Sequence, residues 1–248
     1  MWGGAWLISG GAIGRAEDSV ANSFYRMTAR NGFAVKDVLV EGRQNADAEV
    51  LLGLIHAERG DPIFAFDPVK VRENLEKEPW IAQARVERRL PGVIFVSIVE
   101  RKPFALWQNQ NKVRLIDADG VVISDVKKEI ARFSTLPLVV GDGAEKKAAS
   151  LLDLMKAEPL VMDRMVAAMY VGDRRWDLRL KNNVTVRMPE EDMAVALRRL
   201  GEAQEKDGLL DKALDTIDLR EASRIVIRVK PDAAAEEYKV SYQPEKAI

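Results

Sequence analysis

An α+β fold in two successive units is what this sequence predicts, and three observations carry the prediction. From Phe33 to Lys102 the apolar spacing runs in the order strand, helix, helix, strand, strand. From Pro103 to Lys230, short alternating segments follow one another with only two helical stretches between them, the pattern of a mostly antiparallel sheet with helices on one face. The balance of 47% apolar and 31% charged residues, with 10 Pro and 16 Gly in 248 residues, is that of a chain that folds, which sets aside collagen-like, low-complexity and wholly disordered classes.

Charge and rare residues narrow the chemistry. Thirty-eight Lys and Arg against 39 Asp and Glu leave a net charge of −1, so no long-range field draws in a polyanion and nucleic acid is not an expected partner. The absence of cysteine removes disulfides, thiolate metal sites and thiol nucleophiles, and suits an oxidising compartment. A single histidine, His56, cannot build a multi-histidine metal site, so hydrolytic chemistry would have to rest on carboxylates, Lys, Tyr or a Ser-Lys pair.

The elements follow in order. Residues 1–14 (MWGGAWLISGGAIG) carry no charged side chain, and Arg15, Glu17 and Asp18 follow at once. Fewer than the about 17 to 25 residues of a spanning helix, and without a basic leader, this run fits either a soluble end with two Trp or the remnant of a transmembrane anchor. We read it as the latter. Residues 15–32 are expected to be a juxtamembrane helix and linker, with Val20, Phe24 and Met27 recurring at helical spacing. Val38 and Val40 alternate with polar neighbours and predict a strand that Gly42 ends. Asn45 or Asp47 can cap a helix over residues 47–57 with Val50, Leu51, Leu54 and Ile55 on its apolar face; a turn at Gly60-Asp61-Pro62 follows, and Asp67-Pro68 opens a second helix with Val71 and Leu75 inside. Ala84 to Arg88, the Leu90-Pro91-Gly92 connection and Val93 to Glu100 predict a hairpin.

In the second unit the alternating segments are 104–107, 113–116, 121–124, 138–140, 165–171, 176–180, 184–188, 216–219 and 225–229. Helices are predicted over 145–156, with Leu151, Leu152 and Met155 inside, and from Pro189 to about Lys206, with Met193, Leu197 and Leu200 on one stripe. Asn182-Asn183 between two strands predicts a type I′ turn. Residues 231–248 form a tail whose Tyr238, Val240 and Tyr242 suggest a weak terminal strand.

These residues carry a resemblance. The strand-helix-helix-strand-strand order, Gly60-Asp61-Pro62-Ile63-Phe64, Pro79-Trp80-Ile81 and Val99-Glu100-Arg101-Lys102-Pro103 resemble the POTRA domain of the bacterial division protein family FtsQ, called DivIB in Gram-positive relatives. Ala105-Leu106-Trp107, the run Leu115 to Val122, Arg174 to Leu178, Leu180 to Val184 and Ile217-Asp218-Leu219-Arg220 resemble the β domain of the same family. The resemblance covers about Phe33 to Lys230; each motif is weak alone, and their order and spacing make it specific. It implies a POTRA domain over 33–102 and an FtsQ-type β domain over 103–230.

Chemistry-bearing motifs are few. Gly141-Asp142-Gly143 with Lys146-Lys147 lacks the spacing of a phosphate loop and reads as a turn into a helix. Asp117-Ala118-Asp119-Gly120 resembles the start of a calcium loop, but flanking strands leave no room for further ligands, so a β-turn is expected. His56 reads as a helix-end residue. Arg85, Arg88, Arg89, Arg101 and Lys102 form a modest basic surface, read as solvated. No catalytic residue, metal ligand or cofactor site is expected.

The resemblance implies a non-enzymatic divisome scaffold in the cell inner membrane. It would be single-pass, with the bulk periplasmic at the division septum, binding FtsB and FtsL and linking to the septal synthase FtsW and FtsI. FtsB would add a strand along the last segment, with Arg220, Glu221, Ser223, Arg224, Ile225, Val226, Ile227, Arg228 and Val229 as the partner site. Arg220 would be available to a partner carboxylate. An outer-membrane assembly or secretion factor, or a periplasmic cell-wall enzyme, are the alternatives from other classes.

Overall fold

A computed structural model describes residues 21–230, and the chain divides between Arg101 and Lys102 into two compact units. The anchor expectation for residues 1–14, the start of the juxtamembrane helix and the terminal strand in 231–248 lie outside the described residues. Among the described residues no helix is long and apolar enough to cross a membrane.

Residues 21–30 are helical and end where Gly32, at φ 96°, lets the Phe33 N–H bond back to the Thr28 carbonyl at 3.1 Å. The three strands β1 (Asp37–Glu41), β2 (Ile81–Arg89) and β3 (Val93–Glu100) form a sheet in the order β1-β3-β2, with β1 parallel and β2 antiparallel to β3. The central position of β3 explains its nearly unbroken apolar run, with Ile94, Val96 and Ile98 facing the helices. Those helices are α1 (Ala48–Ile55), whose Leu51 and Ile55 are buried, and α2 (Pro68–Leu75), whose Val71 and Leu75 are buried. The Asp47 carboxylate accepts from the Glu49 and Val50 N–H, and that of Asp67 from Val69 and Lys70, so both predicted caps form. Val50, expected on the apolar face of α1, is 45% exposed; only two positions of so short a helix reach the sheet. Gly42, at φ 88°, abuts the Ile98 carbonyl so closely that no Cβ fits, which is why the first strand ends on glycine.

The second unit holds β4 (Ala105–Asn109), β5 (Lys112–Ile116), β6 (Val122–Ser124), β7 (Leu138–Val140), β8 (Met165–Val171), β9 (Arg175–Leu180), β10 (Thr185–Arg187), β11 (Leu214–Asp218) and β12 (Val226–Val229). Its helices are α3 (Lys127–Arg132), α4 (Ala144–Lys156), α5 (Pro159–Met162) and α6 (Met193–Asp207), with a 3₁₀ turn over Leu209–Asp211. The strands make one sheet in the order β12-β11-β10-β9-β8-β7-β4-β5-β6. Five neighbouring pairs are antiparallel; β4/β7, β7/β8 and β10/β11 are parallel. The last two parallel pairs arise because α4 with α5, and α6, return the chain to its starting end before the next strand.

The core is built on a row of register partners. Ile217, Val186, Leu178, Ala168 and Val139 are successive cross-strand neighbours from β11 to β7, and each is 0% exposed. The stripes Ala144, Ala148, Leu151, Leu152 and Met155 of α4, and Ala196, Leu197 and Leu200 of α6, join them in one core. Removal of this apolar surface from water, at about 25 cal/mol per Å², stabilises the unit.

Two expected turns are decided by side chains. The loop after β9 is not type I′: only Asn183 is left-handed, at φ 67°, while the Asn182 amide donates to the Leu210 carbonyl at 2.7 Å and so ties the hairpin to the 3₁₀ turn. At Asp117 one carboxylate oxygen accepts from the Asp119 and Val121 N–H at 3.0 and 2.8 Å, which makes this a side-chain-locked β-turn. Among the described residues no group of three or more His, Asp or Glu could hold a metal ion.

Candidate functional site

The sheet of the second unit ends at β12, and this edge is the candidate site. β11 is held from within by Leu214 and Ile217, with Leu219 buried just beyond it, and pairs in parallel with β10 and antiparallel with β12. The apolar row continues one strand further, because Ile227 is the register partner of Ile217. There it runs out of cover: Ile227 is 47% exposed, Val226 45% and Val229 39%. The alternation Ile225, Ile227, Val229 predicts one buried face. Only Ile225, just before the strand, packs against the core, and both faces of β12 stay exposed because it is the four-residue edge of the sheet.

Two hydrogen bonds fix which main-chain groups point outward. The Leu219 N–H donates to the Arg187 carbonyl on β10, so Thr216 and Asp218 turn their N–H toward β12. The Lys230 N–H donates to the Ala213 carbonyl, which places Lys230, Arg228 and Val226 on the β11 side of their strand. By alternation, Ile227 and Val229 direct N–H and C=O away from the sheet. Among the described residues no strand pairs with that side.

The turn from β11 to β12, residues 219–225, carries the charged residues. Arg220 is engaged within the chain while staying half exposed: its Nε and Nη2 bond both oxygens of Asp218 at 2.6 to 3.0 Å. The pairing has a simple cause, since residues two apart at the end of a strand share a side. The Arg220 hydrogen bond, against the opposing effect of burial, holds the Asp218 carboxyl below its ordinary range; Arg187, 3.9 Å away, adds to the field. Arg224 forms a second fork with Glu221 at 2.6 and 3.0 Å, and its hydrogen bond lowers the Glu221 carboxyl. Ser223 is exposed on the same turn, and Arg228 is exposed within β12.

Sequence reasoning missed the neighbour of this turn. A groove of about 540 Å³ runs beside it, lined among others by Arg174, Arg175, Glu190, Arg199, Arg220 and Ala222. Arg174 pairs with Glu190 at 3.1 Å and Arg175 with Asp177 at 3.3 Å. Arg199, from the exposed-looking Arg198-Arg199 pair on α6, reaches the turn through two main-chain carbonyls, Glu221 at 3.2 Å and Ala222. No local pattern marks it, since the contact spans 22 and 23 residues. The basic surface of the first unit is largely internally paired: Arg85 and Arg89 both meet Glu87, Arg89 also stacks over Phe95 at 3.4 Å, and Arg88 donates to the Phe64 carbonyl.

Comparison with known proteins assigns the class. Residues 33–101 match the POTRA domain, FtsQ-type, and residues 105–220 match the C-terminal part of cell division protein FtsQ/DivIB. The chain is 36% identical over 208 residues to cell division protein FtsQ of Rickettsia conorii, covering 84% of this chain and 77% of that protein. It is 33% identical over 231 residues to FtsQ of Bradyrhizobium diazoefficiens, covering 93% and 67%, and 32% identical over 222 residues to FtsQ of Caulobacter vibrioides NA1000, covering 90% and 73%. The major extracytoplasmic domain of DivIB from Geobacillus stearothermophilus aligns over 44% of this chain and 96% of that one at 16% identity, with a TM-score of 0.30. The chain belongs to the FtsQ/DivIB family of bacterial cell division proteins. That membership gives it a divisome role and decides against the outer-membrane factor.

Proposed function

We propose that this chain is a non-enzymatic scaffold of the divisome that binds FtsB and FtsL, taking a strand of FtsB along the outer edge of β12. Through them it links to FtsW and FtsI and so to septal peptidoglycan synthesis. It acts from the inner membrane, anchored once through its N-terminal segment, with the POTRA unit over 33–102 and the β unit over 103–230 in the periplasm. The observation that carries the reading is the edge itself: Ile227 and Val229 turn their main-chain groups outward on a strand with both faces exposed. An uncovered edge is a template for strand addition, in which main-chain bonds supply affinity and flanking side chains supply selectivity.

The experiment is capture of purified FtsB and FtsL by this chain, with membrane fractionation of cells producing it. Retention of both proteins and recovery in the inner-membrane fraction bear the reading out; failure to retain FtsB overturns it. Arg220→Gln refines the site. Because a partner carboxylate must share Arg220 with Asp218, the variant is expected to bind FtsB only about three- to tenfold more weakly, or about 0.7 to 1.4 kcal/mol. Titration calorimetry checks this, with circular dichroism confirming an unchanged fold. A hundredfold loss would place Arg220 at the centre of the interface.

A further inference from the structure

Arg199 differs from the other arginines around the β11–β12 turn. Arg220 and Arg224 are spent on the carboxylates of Asp218 and Glu221, one inside the turn and the other at its entrance. The Arg199 guanidinium instead crosses from the middle of α6 to the turn and donates through Nη1 to the Ala222 carbonyl and through Nη2 to the Glu221 carbonyl at 3.2 Å. Its Nε is buried and finds no hydrogen-bond acceptor among the described residues. The flanking residues of α6, Ala196 at 3% and Leu200 at 0% exposure, are fixed in the core, so the base of this side chain is immobile. A planar fork on a rigid helix, gripping two successive carbonyls, fixes the path of the main chain between them.

We propose that Arg199 is a positioning residue for partner binding: it clamps the turn so that β12 is held as a preformed edge before any strand is added. The proposal rests on the strand-addition reading of β12. Its physical content is preorganisation. A four-residue edge strand exposed on both faces has little burial to hold it, and an edge that must be ordered at the moment of binding loses affinity by the cost of that ordering. The clamp removes that cost in the free protein. Charge alone does not do this, since a lysine keeps the charge and most of the stem but cannot fork.

The test uses the full chain with Arg199→Lys and Arg199→Ala. Amide hydrogen exchange is read at Val226 and Arg228, whose N–H face β11, and at Ala168 and Leu178 in the sheet centre as a control. Affinity is read with purified FtsB. Both variants are expected to speed exchange at Val226 and Arg228 by tenfold or more, leave Ala168 and Leu178 unchanged, and weaken FtsB binding by tenfold or more, chiefly through a slower association rate. Unchanged exchange at β12, or faster exchange with undiminished binding, overturns the proposal. So does full recovery of wild-type behaviour in Arg199→Lys. If wild-type protein itself fails to bind FtsB, the strand-addition reading falls and the positioning role with it; the exchange data then still establish whether Arg199 holds the edge.

Discussion

Glu100→Ala is expected to destabilise the first unit by about 2 to 3 kcal/mol, lowering its thermal midpoint by about 10 °C or more, because each hydrogen bond to a charged acceptor contributes about 1.5 to 3 kcal/mol before solvent takes over part of it. Glu100 ends β3 and lies against the loop that joins β1 to α1. Its Oε1 accepts from the Gln44, Asn45 and Ala46 N–H at 2.7, 2.9 and 2.9 Å, and its Oε2 from the Asn45 N–H and side-chain amide at 2.8 and 3.2 Å. Those N–H groups belong to a loop ahead of α1 and have no strand or helix ladder to join. Truncation leaves them to water, and Ala46, 1% exposed, is where water reaches least. Glu100→Gln keeps one acceptor but turns a donor toward the loop, so an intermediate loss is expected. Urea unfolding followed by the fluorescence of Trp80, 5% exposed in this unit, measures both.

The same contact sets a pH dependence. Burial works to raise the Glu100 carboxyl, but the N–H groups of Ala46, Gln44 and Asn45 outweigh it and hold the group below its ordinary value of 4.5. A carboxyl depressed in the folded state binds its proton more readily when unfolded, so its stabilisation is complete above about pH 4.5 to 5 and is lost as pH falls through the folded value. The difference in urea midpoint between wild type and Glu100→Ala is therefore expected to be full at pH 7 and to shrink toward pH 3. An equal difference at both values would assign the loss to packing.

Much of the fold was legible because it rests on local chemistry. Asp67-Pro68 names its own helix start, and Val93 to Glu100 is apolar enough to be a central strand wherever it falls. The three parallel pairs of the second unit were less legible, since antiparallel alternation and parallel pairing share a period of two. The crossover helices α4 and α6 were in view, and an intervening helix is the signal for a parallel neighbour. Three elements escaped notice, α3, α5 and the 3₁₀ turn, all of six residues or fewer, too short for a helical period to declare itself. At the site, the residues of β12 announced a strand, but its place at the edge came from the family resemblance and its alternation promised a buried face that the four-residue strand does not have; the use of Arg220 by Asp218 and of Arg199 by the turn left no sequence trace. Glu100 stood in a motif singled out for its order, yet its task depends on a loop 54 to 56 residues away. Contacts of that span are fixed by tertiary structure and leave no periodic trace.

The other large effect is expected from a pair of prolines in β12. Ile227→Pro removes an N–H that points away from the sheet, so the β11 ladder keeps its bonds at Val226 and Arg228 and the fold should survive. An added FtsB strand would lose the bond at the centre of its register and meet the proline ring, so binding is expected to fall by about 100-fold or more, or about 2.7 kcal/mol. Val226→Pro is the counterpart. It deletes an N–H facing Asp218 across the ladder, so its first effect is on the strand itself, with the last turn of the sheet loosened by roughly 1 to 2 kcal/mol. The contrast between adjacent residues separates the two roles better than either variant alone, since both lose one donor and gain the same ring. Thermal unfolding by circular dichroism and FtsB binding are measured on each. Equal binding by wild type and Ile227→Pro, with the fold intact, would remove β12 as the partner strand and turn attention to the first unit.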